Sequence, residues 1–388
     1  MGWSAFQKRG LTHHNPNLSI KGYTLFAPSY AKGIYLIDMQ GRVVKRWQFD
    51  DIDVSLVQLL PNGNLLLGAK HVALQKEAAK LSPDDHSNLD LRVLRMGGGF
   101  TTVREYDWDG NLVWSYDNGR IHHDFHRFEN GDLLLPEWVT IPEELIDKVE
   151  GGYRKAERFP FMFGDDVIRV NRQGEEVGRW RTWQMLDPAE AVIQPLGGRM
   201  EWTHMNSIDV MPDGQFVASL CYTSQVVLLD PETHKITWTI GEPTISMQHH
   251  ATSLPGGNIQ VFDNGRNRPQ SLPYSQVLEI DPRTNEVVWR YAPGALEQFF
   301  SGHISGAQRL SNGNVLICEG TFGRLFEVTR GGEIAWEWIN PFIGGGDNGR
   351  LYPWVYRAYR YPIEYPAFAG KTLDPAAYQN VNTSYGLG

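Results

Sequence analysis

Cysteine is almost missing from this sequence. Only Cys221 and Cys318 stand in 388 residues, too few for a disulfide framework, so both read as buried thiols packing as small apolar groups. Long apolar runs are missing too. The longest, such as residues 54–60 and 65–69, fall far short of the ~20 residues that cross a bilayer, so no membrane partner is expected. Basic residues are outnumbered: 36 Lys and Arg face 45 Asp and Glu, for a net charge of −9. That balance excludes a general nucleic-acid binder, which needs a basic surface. Residues 1–9 lack the apolar core of a signal peptide. The expectation is a cytoplasmic protein as given, or a periplasmic or secreted one if a leader was removed.

Aromatic and turn-forming residues are abundant. The chain carries 13 Trp, 16 Tyr and 17 Phe beside 40 Gly and 22 Pro. Such a mixture suggests short strands joined by tight turns. A mean hydropathy of −0.38, with 41% hydrophobic and 21% charged residues, fits a folded globular chain.

The chain repeats itself. A turn followed by a β-rich run ending in Trp recurs six times, ending at Trp47, Trp114, Trp180, Trp238, Trp289 and Trp336, with spacings of 67, 66, 58, 51 and 47 residues. A second unit follows five of these Trp residues: an apolar strand, a turn and another apolar strand. Its copies centre on Leu60-Pro-Asn-Gly63, Phe128-Glu-Asn-Gly131, Met211-Pro-Asp-Gly214, Leu254-Pro-Gly-Gly257 and Leu310-Ser-Asn-Gly313. Two hairpins per period make four antiparallel strands, the unit of a β-propeller blade. Trp and β-branched residues at matching places would seal neighbouring blades together. The fold expected is all-β, a six-bladed propeller in a single domain over residues 1–388. The stretches 22–27 and 355–361 would complete the unfinished blade, and a tail would run from 362 to 388.

Extra length in the early blades goes into insertions at residues 71–99, 137–160 and 182–200, read as long loops over one face. Short helices are expected over 74–81 and 142–149. Insertions of this length in a compact fold are usually lids or binding loops, with inert decoration as the alternative.

Polar residues line up against the second hairpin. Six residues before the turn stand Ser55, His123, Asn206, His249 and Ser305, and eight before it stand His204 and His303. In a regular strand, even offsets share one face. His123, His204, Asn206, His249 and His303 would then converge from four blades on the start of the central channel. His122 and His250 fall at odd offsets and would act as supporting partners. Each histidine alone reads as a satisfied core residue, but several on one face do not suit an apolar channel. Converging imidazoles can bind Zn²⁺, yet no short metal-ligand spacing is present. The segment Asp107-Trp-Asp-Gly110 resembles half of a calcium loop and reads as a turn.

On these residues the chain resembles the arylsulfotransferase family, six-bladed propellers that move a sulfuryl group between phenols. The resemblance runs from Gly22-Tyr-Thr-Leu-Phe-Ala-Pro28 and Tyr35-Leu-Ile-Asp-Met-Gln-Gly41 to Val355-Tyr-Arg-Ala-Tyr-Arg-Tyr-Pro362. Its most specific pieces are Trp202-Thr-His-Met-Asn-Ser207 and Gln248-His-His-Ala251. It implies that His249 is the nucleophile carrying the sulfuryl group, and that His204 and Asn206 bind sulfuryl oxygens. His123 and His303 join them as catalytic candidates. The implied partners are a small aromatic sulfate and a phenol, with no cofactor. A neutral imidazole splits one displacement into two, positioned donors stabilise the oxygens, and a neighbouring histidine supplies the proton to the leaving phenol.

Two features depart from the family. An Arg expected shortly after the His-x-Asn strand is replaced in Ser219-Leu-Cys-Tyr-Thr-Ser-Gln225 by Cys221 or Tyr222. Arg266, Arg268 or Arg324 would have to supply that charge, so Tyr222, Arg266 and Arg324 are the substrate-binding candidates. The extra N-terminal domain of periplasmic members, with its disulfide, has no counterpart here. Two other readings stay open. One is a polysaccharide lyase acting on an acidic oligosaccharide, with Tyr222 or a His as base. The other is a binding propeller without chemistry.

Overall fold

The computed structural model describes residues 8–82, 88–153, 161–268, 271–295, 298–346 and 349–387. Six antiparallel sheets make the fold a six-bladed β-propeller. The chain divides into two compact units with three blades each. One comprises Met1–Val72, Val103–Ser115 and Ile304–Gly388, and the other Ala73–Thr102 and Tyr116–His303. No described helix is long and apolar enough to cross a membrane.

In the first unit, blade 1 has the order Val355–Pro362, Gly22–Pro28, Ile34–Ile37, Val43–Trp47. Its register runs from Gly22 opposite Pro362 to Pro28 opposite Val355, so the two ends of the sequence complete one blade, as the pattern predicts. Blade 2 is Ile52–Leu59, Leu65–His71, Thr102–Tyr106 and Leu112–Asp117, and blade 6 is Gly306–Arg309, Val315–Glu319, Arg324–Val328 and Ile334–Ile339. A fifth strand, Gly10–His14, pairs with the outer edge of blade 6 and is not expected from the sequence. The C-terminal tail packs back: Ala367 and Phe368 join the apolar core beside Leu59 and Trp47, and the Asn382 side chain bonds both backbone groups of Val43.

In the second unit, blade 3 is His126–Arg127, Leu133–Thr140, Phe163–Val170 and Glu176–Arg181. Blade 4 is Met205–Val210, Phe216–Leu220, Gln225–Asp230 and Lys235–Ile240, and blade 5 is His249–Ser253, Ile259–Asp263, Gln276–Asp281 and Glu286–Tyr291.

One hairpin turn is built five times. Leu60 N–H donates to Asn64 O at 2.8 Å and Gly63 N–H to Leu60 O at 2.9 Å, and the same pair recurs at Phe128, Met211, Leu254 and Leu310. The glycine at each turn, from Gly63 to Gly313, has φ between 82° and 91°, a left-handed conformation that favours glycine. The blade tryptophans join adjacent blades by hydrogen bonds as well as packing. The indole N–H of Trp47 donates to Trp108 O, that of Trp180 to Pro231 O, that of Trp238 to Asn285 Oδ1 and that of Trp336 to Met39 O. Asp107-Trp-Asp-Gly110 is a turn closed by the Asp107 carboxylate on its own backbone. Cys221 and Cys318 are buried free thiols.

The insertions of the second unit are structural supports. Ile141, Val149, Met162, Ala191 and Ile193 form one apolar cluster around Trp202, and the Trp202 indole donates to Ala191 O at 2.7 Å. Two insertions are thus clamped onto the segment that leads into His204. The helices of the insertions are Val72–Ala78, Leu89–Val93, Glu143–Ile146 and Thr182–Met185, shifted or shortened from the expected 74–81 and 142–149. Residues 83–87 and 154–160 of the insertions lie outside the described residues.

Candidate active site

Strand alternation does not place the histidines. The first strands of blades 3, 4 and 6 begin at His126, Met205 and Gly306, so His123, His204 and His303 precede them. His123 and His204 have φ of 59° and 51°, as do His250, Ile304 and Ser305 with 50°, 53° and 88°. Register shifts fall between Val54 and Leu56, Met205 and Ser207, and His249 and Thr252. The positions six residues before the turn therefore sit in or beside bulges or left-handed residues, where a period of two breaks down. Non-glycine residues in left-handed backbone cluster where function over-determines the local structure.

In blade 5 a hydrogen-bond chain fixes His249. Its Nδ1 is 2.7 Å from Asn264 Oδ1, and the Asn264 amide donates to Ser301 O at 2.7 Å. A backbone carbonyl can only accept, so the Asn264 amide orientation is set and its oxygen faces the ring. His249 Nδ1 must then be the donor, and in the neutral ring Nε2 carries the lone pair. Asn206 reaches across from blade 4, its amide donating to the carbonyl of Gln248 at 2.8 Å. The Gln248 side chain donates to Ser219 Oγ at 3.0 Å and Gln225 O at 2.8 Å. Asn206 thus steadies the residue just before His249.

A second network surrounds His204. Glu201 Oε2 accepts from His204 Nδ1 at 2.8 Å and from the Trp138 indole at 2.9 Å. Tyr222 stacks on the His204 ring, centroids 4.4 Å apart and planes 6° apart, and His123 meets it edge-on at 4.4 Å. Burial opposes charge on His204, but the Glu201 carboxylate, its hydrogen bond and the charge of Asp165 outweigh burial and the opposing Arg266. The ring protonates more readily than an ordinary histidine. Tyr222 is pushed well up, by burial first and then by Glu201, and keeps its phenolic proton.

His122 packs beside His123. Its ring lies flat on Trp138 at 4.2 Å, its Nε2 is 3.2 Å from Asp165 Oδ1, and its Nδ1 is 2.8 Å from His123 Nδ1. Asp165 also accepts from the Thr203 hydroxyl and from Met205 N–H. Although burial works against it, these donors hold its carboxyl below the usual range. His123 is buried, and a Cβ on Gly98 would overlap its Nε2.

The candidate arginines separate. Arg268 is paired with Asp263 and lies over Tyr274. Arg324 belongs to the first unit, where Glu319 at 3.1 Å and Glu337 at 2.6 Å engage its guanidinium. Arg266 is exposed, and its positive charge acts on His204, Cys221, Tyr222 and His303. Burial first, and Arg266 second, hold His303 below the ordinary histidine range. Among the described residues no group of three or more His, Cys, Asp or Glu is placed to hold a metal ion.

The fold brings His123 and His204 into ring contact just before the first strands of blades 3 and 4, and opens blade 5 with His249. The profile of the family described as Arylsulfotransferase (ASST) matches residues 11–246, more than half of the sequence, and the chain belongs to that family. Aryl-sulfotransferase-type transfer is the general activity this membership carries. The match ends just before Gln248 and His249. No curated protein matches the chain. Among solved structures, a protein of unknown function from Bacteroides caccae is 12% identical, covering 88% of this chain and 98% of that one, with a TM-score of 0.52. A streptogramin B lyase is 12% identical over 91% and 93%, with a TM-score of 0.46. A virginiamycin B lyase from Staphylococcus aureus is 11% identical over 92% and 84%, with a TM-score of 0.43. At such identity the first likeness bears on the fold alone.

Proposed function

We propose that the chain transfers a sulfuryl group from an aryl sulfate to a phenolic acceptor through a sulfohistidine at His249 Nε2. The observation that carries this reading is the His249–Asn264–Ser301 chain, which aims a lone pair instead of an N–H bond outward from Nε2. The Nε2 lone pair attacks sulfur, the aryl oxygen–sulfur bond breaks, and the departing phenolate takes the proton from the His204 imidazolium. In the second half, the acceptor hydroxyl returns a proton to His204 as its oxygen displaces His249 from sulfur. Glu201 supports both states of His204, and Tyr222 is the flat wall against which its ring stays oriented. Asn206 holds the strand entry that presents the nucleophile. His123 and His303 complete the acid–base set, His303 as a neutral imidazole. The reaction as written calls for no cofactor.

With Tyr222 as its base, the lyase reading asks that residue to surrender its proton. Burial and the neighbouring Glu201 push that proton the other way, so that form of the reading is not carried further. Initial rates with varied aryl sulfate and phenol test the proposal. Parallel double-reciprocal lines, with turnover lost in His249→Ala, are expected; intersecting lines with full activity in His249→Ala would overturn it.

A further inference from the structure

The geometry points to the cleft between blades 4 and 5 as a docking groove for a segment of a partner protein. The segment it fits carries a proline, a small residue and an aromatic, with a basic residue close by. The cleft is walled by hairpin turns at the far end of the inner strands from the histidines, and the inference does not rest on the transfer reading.

The same place occurs between other blades, where the chain fills it. Three positions define it: the residue two before an outer turn, the tryptophan of the outer strand, and the residue two after the inner-turn glycine of the next blade. Between blades 1 and 2 these are Leu36, Trp47 and Leu65, and the chain's own Ala367 and Phe368 complete their apolar cluster. The Ala367 carbonyl lies 3.7 Å from where a Cβ on Gly63 would stand, and Lys371 Nζ lies 5.1 Å from the Trp108 ring centroid. Between blades 3 and 4 they are Arg169, Trp180 and Phe216, which fill the space themselves. Phe216 meets Trp180 edge-on at 4.8 Å, and Arg169 lies over Phe128 at 4.2 Å.

Between blades 4 and 5 the three positions hold Leu228, Trp238 and Ile259, clustered with Met211. These side chains are less bulky than Arg169, Phe216 and Phe128 at the matching places. A cleft of about 480 Å³ opens over Leu228 and Trp238, with Pro212, Pro255 and Pro282 around it. A Cβ on Gly256 or Gly257 would meet nothing within 4 Å among the described residues, whereas Ala367 covers Gly63. An indole among prolines in a concave apolar site suits a proline–aromatic segment. Charge selects the basic residue. Arg283 at the rim is committed to Asp281 at 2.7 Å, while the Asp213 carboxylate accepts only from Gln215, at 3.1 and 2.9 Å. Asp213 has no cation partner among the described residues, so the rim is left negative.

The probe is a synthetic peptide with the sequence of residues 362–371, Pro-Ile-Glu-Tyr-Pro-Ala-Phe-Ala-Gly-Lys, titrated by fluorescence polarisation into the full chain. It should bind wild type, and Phe368→Ala in the peptide should weaken binding at least about tenfold. Gly256→Trp, which fills the cleft from an open position, should abolish binding without changing the melting temperature, and Asp213→Lys should weaken it. No binding to wild type, or equal binding to Gly256→Trp, would overturn the inference. Self-association of wild type that Gly256→Trp abolishes would also overturn it, by making the occupant a second copy of this chain.

Discussion

His249 and Asn264 are locked in a single hydrogen-bonding sense, Nδ1 to Oδ1 at 2.7 Å, because the other end of the Asn264 amide is committed to a backbone carbonyl. Replacing Asn264 by Ala removes the lock and takes one hydrogen-bond partner from each of two buried groups, His249 Nδ1 and Ser301 O, at a cost of about 1–3 kcal/mol in stability. Turnover should fall by about tenfold or more through loss of the reactive tautomer, while KM for the donor changes little. Steady-state kinetics and denaturant titration on the variant check both parts. Unchanged kcat would mean that Asn264 does not orient the nucleophile.

The His204–Glu201 pair predicts a pH dependence. Burial alone would lower the His204 value, but the Glu201 carboxylate reverses the sign, so the folded pKa lies above the ordinary 6.5. The cation is fully present below the unfolded value and is lost as pH rises through the folded one, and the stability it contributes follows the same course. Donor KM should therefore be flat in mild acid and rise on the alkaline side. Glu201→Gln should move that rise to lower pH, and an unmoved profile would contradict the assignment.

Gly98 lies against His123, and its φ of 77° suits glycine. Gly98→Ala should displace the His123 ring, lower stability by about 1–3 kcal/mol and depress turnover. A variant that melts and turns over like wild type would show that this contact is dispensable.

In the first unit, Arg360 and Glu327 form a fully buried ion pair at 2.6 Å. Glu327 also accepts from Ile20 N–H and the Asn314 amide, and Arg360 donates to Thr24 and lies over Trp336. Glu327→Gln should cost about 3–5 kcal/mol by leaving a charge unpaired in the core. The double change Glu327→Leu with Arg360→Met should cost less than either single change. Chemical denaturation of Glu327→Gln, of the two single changes and of the double change decides it.

Much of the fold was legible because blades are written as local repeats. A Trp in each outer strand and a glycine in each left-handed turn are one-residue signals. The strand Gly10–His14 was not legible, since its partner Ile334–Ile339 lies more than 300 residues away and no turn marks the pairing. The site was legible in membership but not in geometry. His123 and His204 were singled out by alternation along strands they precede, because left-handed residues and bulges leave no mark in the amino-acid order. Glu201 could have been found, three residues before His204 and beside Trp202. Asn264, Asp165 and Trp138 could not, because their partners are brought to them only by the sheets.

The most direct test of the central claim is an intact-protein mass measurement after brief exposure to an activated aryl sulfate without acceptor. A gain equal to one sulfuryl group, absent in His249→Ala and discharged on adding a phenol, is the result predicted. Release of phenol with no mass gain, or the same gain in His249→Ala, would contradict a sulfohistidine at His249.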